Sequence, residues 1–488
     1  MVPFMINKLG AGDYGTYILA TSFAGYFSFM TFGVGETLQK YVAEYHAKAA
    51  YNYLNKIIIA SLVFYSFMGL LTGGLLAGLA AFFVDVFQFS EAELSKAKTI
   101  VYVVAVVSLI SWPASIFASI LKGIQKYTIV NKISFIVSLF STAAIVVLIT
   151  RGYSIISLVI ATNLFGLLGW LIQWIMARRH FPNLQLKWQQ FEFAVLKSIF
   201  GFSIHLFLMR IARLLTYHAD RLILAFFMPV QTITFYEVVT KPQYWIRTVT
   251  KITNGAVMPA ISEAQAVKNR QFMRRVIFWG SRYTLAAVLA MVIPFMLVSK
   301  EFLGNWIGVE YEVYAFEMQL FISYLIFSAA NGLIQAVMIG MGQVKELSVI
   351  ALVSGIANVI LSIILVQLWG LLGILLATVF IALAVTPVYI AIFSKRIKVP
   401  FFQFLREIYL APYLIGAGVA ILLFFLKSWW QFTNLTWVIG FIVVGISIYL
   451  FAFFTTGTSR EEKAFIRSYF HIPIWPVTPN RKPNRFSK

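Results

Sequence analysis

Apolar segments long enough to cross a membrane recur along the whole chain. Roughly 20 helical residues are needed to cross about 30 Å of hydrocarbon, and about thirteen complete segments reach that length. They lie at about 14–36, 57–84, 99–121, 128–150, 154–177, 194–217, 222–258 with an interruption, 276–299, 318–340, 347–368, 371–393, 408–426 and 436–455. Apolar segments of this length satisfy their backbone hydrogen bonds in lipid by forming helices. The chain is therefore predicted to be an all-α polytopic membrane protein.

The composition agrees with this fold class and excludes several functions. Of 488 residues, 60% are hydrophobic and 12% are charged, whereas soluble domains carry roughly 25% charged residues. The net charge of +21 is divided among loops between the apolar segments, which argues against a nucleic-acid partner. Cysteine is absent, and the sequence has no Walker loop, nucleophile elbow or paired metal-ligand spacing. We expect no enzyme activity, no cofactor and no metal.

The positions of lysine and arginine predict the orientation. One alternating set of loops, including 122–132, 178–197 and 268–282, carries most of the positive charge, and so does the tail at 456–488. The opposite loops carry few positive charges and several acids, such as Glu91 and Glu93. Positive loops stay on the cytoplasmic side of a membrane. The C-terminus is therefore predicted to be cytoplasmic.

The chain contains an internal repeat of about 220 residues. An even number of spans separates the two copies, so they stand in the same order and the same orientation. At shifts of 218 and 219 residues, the matching segments are Gln125–Gly152 with Gln343–Gly370 and Tyr17–Glu44 with Tyr236–Glu263. Parallel repeats of this kind are typical of transporters that bind substrate between two lobes near the midplane.

The repeat predicts two pseudo-symmetric six-helix lobes around a central cavity, followed by two extra C-terminal helices. The expected units are an N-lobe at 1–190, a C-lobe at 191–400, two additional transmembrane helices at 401–455 and a basic tail at 456–488. The first-half counterpart of the span near 194–217 falls before Met1. We expect that a first helix has been truncated and that 1–6 is its remnant; the alternative is a natively short outer N-terminus.

The stretch at 203–263 has the most unusual charge. A charged side chain near the bilayer centre costs at least about 2.5–3.5 kcal/mol, so these groups must face protein or water. Arg210, Arg213 and Asp220 share one helix face by their spacing, and Glu237 and Lys241 share another. The predicted substrate-binding residues are Arg210, Arg213, Lys241, Arg247 and Lys251, and the candidates for ion coupling are Asp220, Glu237 and Glu36.

Five positive charges against two acids, Asp220 and Glu237, predict a cationic cavity for an anion. The planar fork of arginine offers paired hydrogen bonds to phosphate oxygens, which favours a diphosphate head group. One alternative is a structural network in which Glu237 pairs with Lys241, and Asp220 with Arg213 or Arg221. Arg247 and Lys251 have a second alternative, which is to extend to the cytoplasmic interface. Glu36 is also compatible with an ordinary helix-end carboxylate.

Short motifs resemble those of the Wzx-type O-antigen lipid flippases, in the polysaccharide transporter family of the multidrug/oligosaccharidyl-lipid/polysaccharide exporter superfamily. The resemblance covers nearly the whole chain to about Phe454. In the first half it rests on Leu9–Tyr17, Phe32–Gly35 and Val42–Glu44, and in the second on Asp220–Leu224, Phe235–Tyr236 and Pro259–Glu263.

The resemblance implies a flippase in polysaccharide biosynthesis. Its substrate would be an undecaprenyl-diphosphate-linked oligosaccharide, a repeat unit of O-antigen lipopolysaccharide or of exopolysaccharide, moved across the bacterial inner membrane by alternating access with H⁺ or Na⁺ gradient coupling. Membrane lipids, a polysaccharide polymerase and glycosyltransferases are the other implied partners.

Three alternatives stay open. A lipid II flippase is hardly distinguished by sequence. A multidrug cation exporter of the same superfamily would prefer an acidic cavity, against the excess of arginine and lysine. A membrane-embedded polymerase or ligase should have a sizeable external loop, whereas the longest outer segments have about twenty residues.

Overall fold

The computed structural model describes residues 2–32, 34–83, 87, 91–197, 211, 214–215, 219–266, 270–341, 344–459 and 461–463. These residues form helices joined by short connections, and no β-strand occurs among them. The predicted all-α class is confirmed. The predicted segment at 194–217 lies almost wholly outside the described residues.

Seven helices form the first half of the protein. Ser154 begins the last of them by accepting a hydrogen bond from the backbone nitrogen of Ile156. The helices are α1 (Val2–Leu9), α2 (Ala11–Tyr26), α3 (Val34–Ala47), α4 (Tyr51–Gly78), α5 (Glu91–Gly123), α6 (Tyr127–Thr150) and α7 (Ile155–His180). The predicted first span, 14–36, is not continuous, because the 3₁₀ turn Phe27–Thr31 separates α2 from α3.

The second half begins with two helices that meet at a break near Pro229, as the sequence predicts. Its helices are α8 (Ala219–Phe227), α9 (Gln231–Ala266), α10 (Arg270–Leu297), α11 (Ser299–Trp306), α12 (Ala315–Ser328), α13 (Asn331–Gly340) and α14 (Val344–Ile397). After it follow α15 (Phe401–Leu405), α16 (Ala411–Trp429) and α17 (Leu435–Ala452). A π-helical turn, Arg406–Leu410, joins α15 to α16.

Within the described ranges, eight helices are long and apolar enough to cross a membrane, and the bent pair Val309–Ser328 and Asn331–Ile339 adds a ninth. The protein is therefore a multi-pass membrane protein. One of the eight, Lys345–Ile397, has 53 residues, about twice the length of a span. Gly370 divides it, with φ 55° and ψ −129°, a conformation that residues with a Cβ avoid. The two segments predicted at 347–368 and 371–393 are thus separate spans.

Helix boundaries repeat between the two halves. A shift of 219 residues carries Tyr51–Gly78 onto Arg270–Leu297, and it carries Ala11–Ala47 onto the whole of α9 to within one residue. Gly152 and Gly370 both have positive φ angles at matching turns. The pseudo-symmetry is confirmed, with one difference: α9 is continuous where the first copy is broken between α2 and α3.

The two C-terminal helices pack on α10. A Cβ at Gly416 would lie 3.2 Å from Ile293, and one at Gly445 would lie 2.9 Å from Pro294. Such small residues let helices approach closely, which is the main source of helix association in lipid. Tyr449 also donates a hydrogen bond to the carbonyl oxygen of Pro412 over 3.0 Å. The appended helices are thus part of the same apolar core.

The two halves meet where α2 packs against α8 and α9. Thr234 Oγ1 donates to the carbonyl oxygen of Ala11 over 2.6 Å. Gly15 lies so close to α9 that a Cβ there would be 2.5 Å from the carbonyl oxygen of Val230. We call this contact the α2–α9 junction. It brings the charged segment of the second half next to the first.

Candidate functional site

Asp220 is a buried carboxyl group beside the α2–α9 junction. It is 2% exposed, and Tyr236 donates its phenolic hydrogen to Oδ2 over 2.8 Å, across the break between α8 and α9. Its other oxygen, Oδ1, has no hydrogen-bond partner among the described residues. An unpaired buried acceptor costs about 1–3 kcal/mol, more if it is charged. A proton or a small cation bound at Oδ1 would remove that cost.

Glu237 lies at the centre of a triad with two cations. Arg221 Nε is 2.5 Å from Oε1 and Lys241 Nζ is 3.5 Å from Oε2, while the Glu237 side chain is only 5% exposed. The spacing of four residues along α9 explains the pair with Lys241. The pair with Arg221 depends on the α8–α9 break, because it brings residues 16 apart into contact.

The triad also touches the first half of the protein. Arg221 Nη1 lies 3.5 Å from Ser22 Oγ on α2, and the nearby Tyr14 on the same helix is buried. The formal charges of Asp220, Glu237 and their two cationic neighbours cancel. The positive excess predicted for the site would therefore have to come from other residues.

Several predicted site residues lie beyond what is described. Arg210 and Arg213 fall outside the described residues. Lys251 and Glu36 lie in α9 and α3, but their side chains are outside the described part of the structure. Their proposed roles stay predictions.

The residues of α9 lie at different depths. With a rise of 1.5 Å per residue, Glu237, Lys241 and Arg247 lie about 9, 15 and 24 Å from Gln231 along the helix. The triad is thus near the end of α9 that contacts Ala11, and Arg247 is nearer the opposite end. The predicted cationic residues of α9 do not form one cluster.

Arg247 lies on the wall of a cavity within the second half. The cavity has a volume of about 260 Å³ and lies between α9, α12, α13 and both arms of α14. Polar residues on its wall include Tyr324, Asn331, Ser354, Asn358 and Thr378. The sequence prediction missed these uncharged residues, although isolated asparagines in apolar spans are a usable signal.

Two further residues of the site were assigned differently from the sequence. Tyr236 was read only as part of the repeat, and Arg221 only as an interface residue or a partner of Asp220. In the structure Arg221 pairs with Glu237, and Tyr236 is the partner described for Asp220. No group of three or more histidine or acidic side chains suited to a metal ion occurs among the residues with described positions.

Comparison with solved structures shows the fold. The chain is similar to the lipid II flippase MurJ in an inward closed conformation, with a TM-score of 0.68 and 16% identity, covering 96% of this chain and 97% of MurJ. It is similar to an inward-facing multidrug resistance MATE family transporter of the MOP superfamily, with a TM-score of 0.65, 12% identity and coverages of 81% and 93%. The Vibrio cholerae MATE transporter VcmN in the bent form gives 0.54, 11%, 83% and 96%.

The sequence comparisons give the family. No curated protein matches the chain significantly. The family model described as "Polysaccharide biosynthesis protein" matches residues 1–265, which is more than half of the 488 residues. The protein is therefore a member of the polysaccharide biosynthesis protein family, with the all-helical fold of the MOP superfamily transporters.

Proposed function

We propose that the protein is a flippase and not an enzyme. Its substrate is an undecaprenyl-diphosphate-linked oligosaccharide, the repeat unit of O-antigen or exopolysaccharide, which it moves across the bacterial inner membrane. The observation that carries the proposal is the buried ionic cluster at the junction of two repeated halves. A protein with only a structural role in the membrane has no need of such costly charges, whereas a transporter of a charged head group does.

The contacts at the α2–α9 junction support alternating access. Thr234 binds a backbone carbonyl of α2 and Arg221 reaches Ser22, so these bonds break when the halves separate. Glu237 keeps both of its cations during this motion, because Arg221 and Lys241 belong to the same half. The junction can therefore open without leaving a buried carboxylate unpaired.

Head-group binding is assigned to the cationic residues Arg210, Arg213, Lys241, Arg247 and Lys251. Lys241 is the member whose described contact best supports this role. Its 3.5 Å separation from Glu237 is longer than a strong charge-assisted hydrogen bond. Lys241 can therefore exchange this carboxylate for a phosphate oxygen while Arg221 continues to neutralise Glu237.

Coupling to a H⁺ or Na⁺ gradient is assigned first to Asp220. Its Oδ1 atom is buried and lacks a hydrogen-bond partner among the described residues. Glu237 is a weaker candidate because two cations already hold it. Glu36 is retained as a third candidate on its position in the sequence. The cytoplasmic C-terminus, and a polymerase and glycosyltransferases as partners, belong to the same proposal.

Proteoliposomes with a fluorescent undecaprenyl-diphosphate oligosaccharide test the proposal. We expect the R210A/R213A variant and the R247A variant each to slow flipping about tenfold or more, since a lost charge-assisted bond is worth roughly 1.5–3 kcal/mol. R151A, at an exposed turn, is the matched control. D220N should flip at the basal rate but lose stimulation by a gradient. Unchanged flipping in all cationic variants, with folding verified by size exclusion, would refute the site.

A lipid II flippase is the second candidate function. The observation that favours it is the similarity to MurJ over 96% of this chain. Fluorescent lipid II in the same vesicles separates the two. Faster flipping of lipid II than of the other oligosaccharide lipids would assign the protein to it, and ethidium transport would instead indicate a multidrug exporter.

A further inference from the structure

The polar cavity of the second half is separate from the ionic cluster at the junction. Its walls come from α9, α10, α12, α13 and α14, all of them elements of the second half. Its volume of about 260 Å³ holds a single small ring and is too small for an oligosaccharide. The cavity is unusual because polar side chains line it inside a lobe built from apolar spans.

Two amide oxygens on the cavity wall lack partners. Asn358 Nδ2 donates to Thr378 Oγ1 over 3.3 Å, and Asn331 Nδ2 donates to Thr386 Oγ1 over 2.8 Å. Both Oδ1 atoms are buried and have no hydrogen-bond partner among the residues that the structure describes. Asn358 is only 1% exposed. Since buried acceptors are normally satisfied, these two oxygens are placed to accept hydrogen bonds from a molecule in the cavity.

The other wall residues narrow the chemistry of that molecule. A metal cation would face the Arg247 guanidinium, and no carboxylate lines the cavity among the described residues. An anion would suit Arg247 but would meet the two amide oxygens, which only accept hydrogen bonds. A sugar hydroxyl both donates and accepts, so a sugar satisfies both kinds of group. The rings of Tyr324 and Tyr389 add apolar surface for the carbon face of a sugar ring.

We propose that this cavity is a saccharide site that holds one sugar ring of the lipid-linked oligosaccharide. The proposal rests on the proposed function and extends it, since it separates sugar recognition from head-group binding. Lys241 and Arg247 lie six residues apart on α9, about 9 Å along the helix. A diphosphate near Lys241 thus has its first sugar within reach of the cavity. Free soluble saccharides share the same hydroxyl chemistry and are the second source that the test must distinguish.

The absence of cysteine makes a direct test possible. In an S354C variant the only thiol of the chain lies on the cavity wall, and the serine it replaces makes one local bond, to the carbonyl oxygen of Ala351. The rate of maleimide labelling then reports occupancy. The probes are undecaprenyl diphosphate carrying a hexose, an N-acetylhexosamine, a deoxyhexose or a uronic acid, the same lipid without sugar, and the four free sugars. S95C, at an exposed position, is the labelling control.

We expect at least one sugar-bearing lipid to slow the labelling of S354C, and the sugarless lipid to leave it unchanged. Protection by lipid-linked sugar at concentrations where free sugar has no effect assigns the site to the transported lipid. Equal protection by both assigns it to soluble saccharide. In the S354C background, N331A/N358A should weaken protection about tenfold, because two hydrogen bonds are lost.

The matched control for these asparagines is N163A in the first half, where Asn163 Nδ2 donates to the carbonyl oxygen of Val159 over 2.8 Å; it should leave protection unchanged. If none of the four sugar lipids and no free sugar protects S354C, or if the sugarless lipid protects equally, the saccharide site is wrong. Flipping without protection refutes only this inference. Protection without flipping of any probe refutes the proposed function and leaves the site standing.

Discussion

At the scale of single residues, the triad around Glu237 shows how a charged stretch is tolerated in a membrane. Two cations neutralise one carboxylate whose side chain is 5% exposed, and the shorter contact is made by Arg221. Replacing a buried ion pair by apolar residues is often harmless, whereas removing one partner leaves an uncompensated charge. The triad is therefore expected to respond unequally to single and double substitutions.

We predict that R221A destabilises the protein by about 3 kcal/mol, at the lower end of the range for broken buried pairs because Arg221 is 23% exposed. R221Q/E237Q should recover at least half of that loss, since no charge is left unpaired. Thermal unfolding in one detergent measures both, together with E237Q for a complete double-mutant cycle. Equal stability of R221A and the wild type would show that water and Lys241 alone satisfy Glu237.

At the scale of helices, the turn at Gly370 lets one long apolar segment become two spans. The sequence predicted this turn, because Gly152 and Gly370 follow glutamines at the same distance. It did not predict the break between α2 and α3, since the segment from Tyr26 to Phe32 contains no proline or charged residue. Likewise, helical spacing predicted the pair of Glu237 with Lys241, but the contact with Arg221 depends on the angle between α8 and α9.

The two turn glycines give a matched pair of substitutions. Gly370 has φ 55° and ψ −129°, and a Cβ would also lie 3.3 Å from Met228 Cε, whereas nothing lies within 4 Å of a Cβ at Gly152. We predict that G370A costs about 1–3 kcal/mol, the range for such rarely populated conformations. G152A should cost less, about 1 kcal/mol, from its positive φ alone. Their order in thermal unfolding is the check, and the reverse order would contradict the assigned conformations.

At the scale of the whole molecule, the pseudo-symmetry could be predicted because a duplicated sequence keeps its helix boundaries. The junction of the halves could not, because it depends on close contacts such as that of Gly15 with the carbonyl oxygen of Val230. A small residue in a helix indicates that close approach is possible and does not identify the partner. The saccharide cavity was missed for a similar reason, since its asparagines come from different helices that only the fold brings together.

The junction also gives the most direct test of alternating access. Ala11 and Thr234 are in contact across the two halves, so an A11C/T234C disulfide should lock them together in this chain without native cysteines. If the halves must separate to move the lipid, oxidation will stop flipping in proteoliposomes and a reductant will restore it. The matched control is N55C/N183C, which joins two contacting positions within the first half and should leave the rate unchanged. Undiminished flipping by the fully cross-linked junction would mean that α2 and α9 stay together throughout the cycle. The opening motion would then have to occur elsewhere between the halves, and the bonds of Thr234 and Arg221 to α2 would be permanent features of the fold.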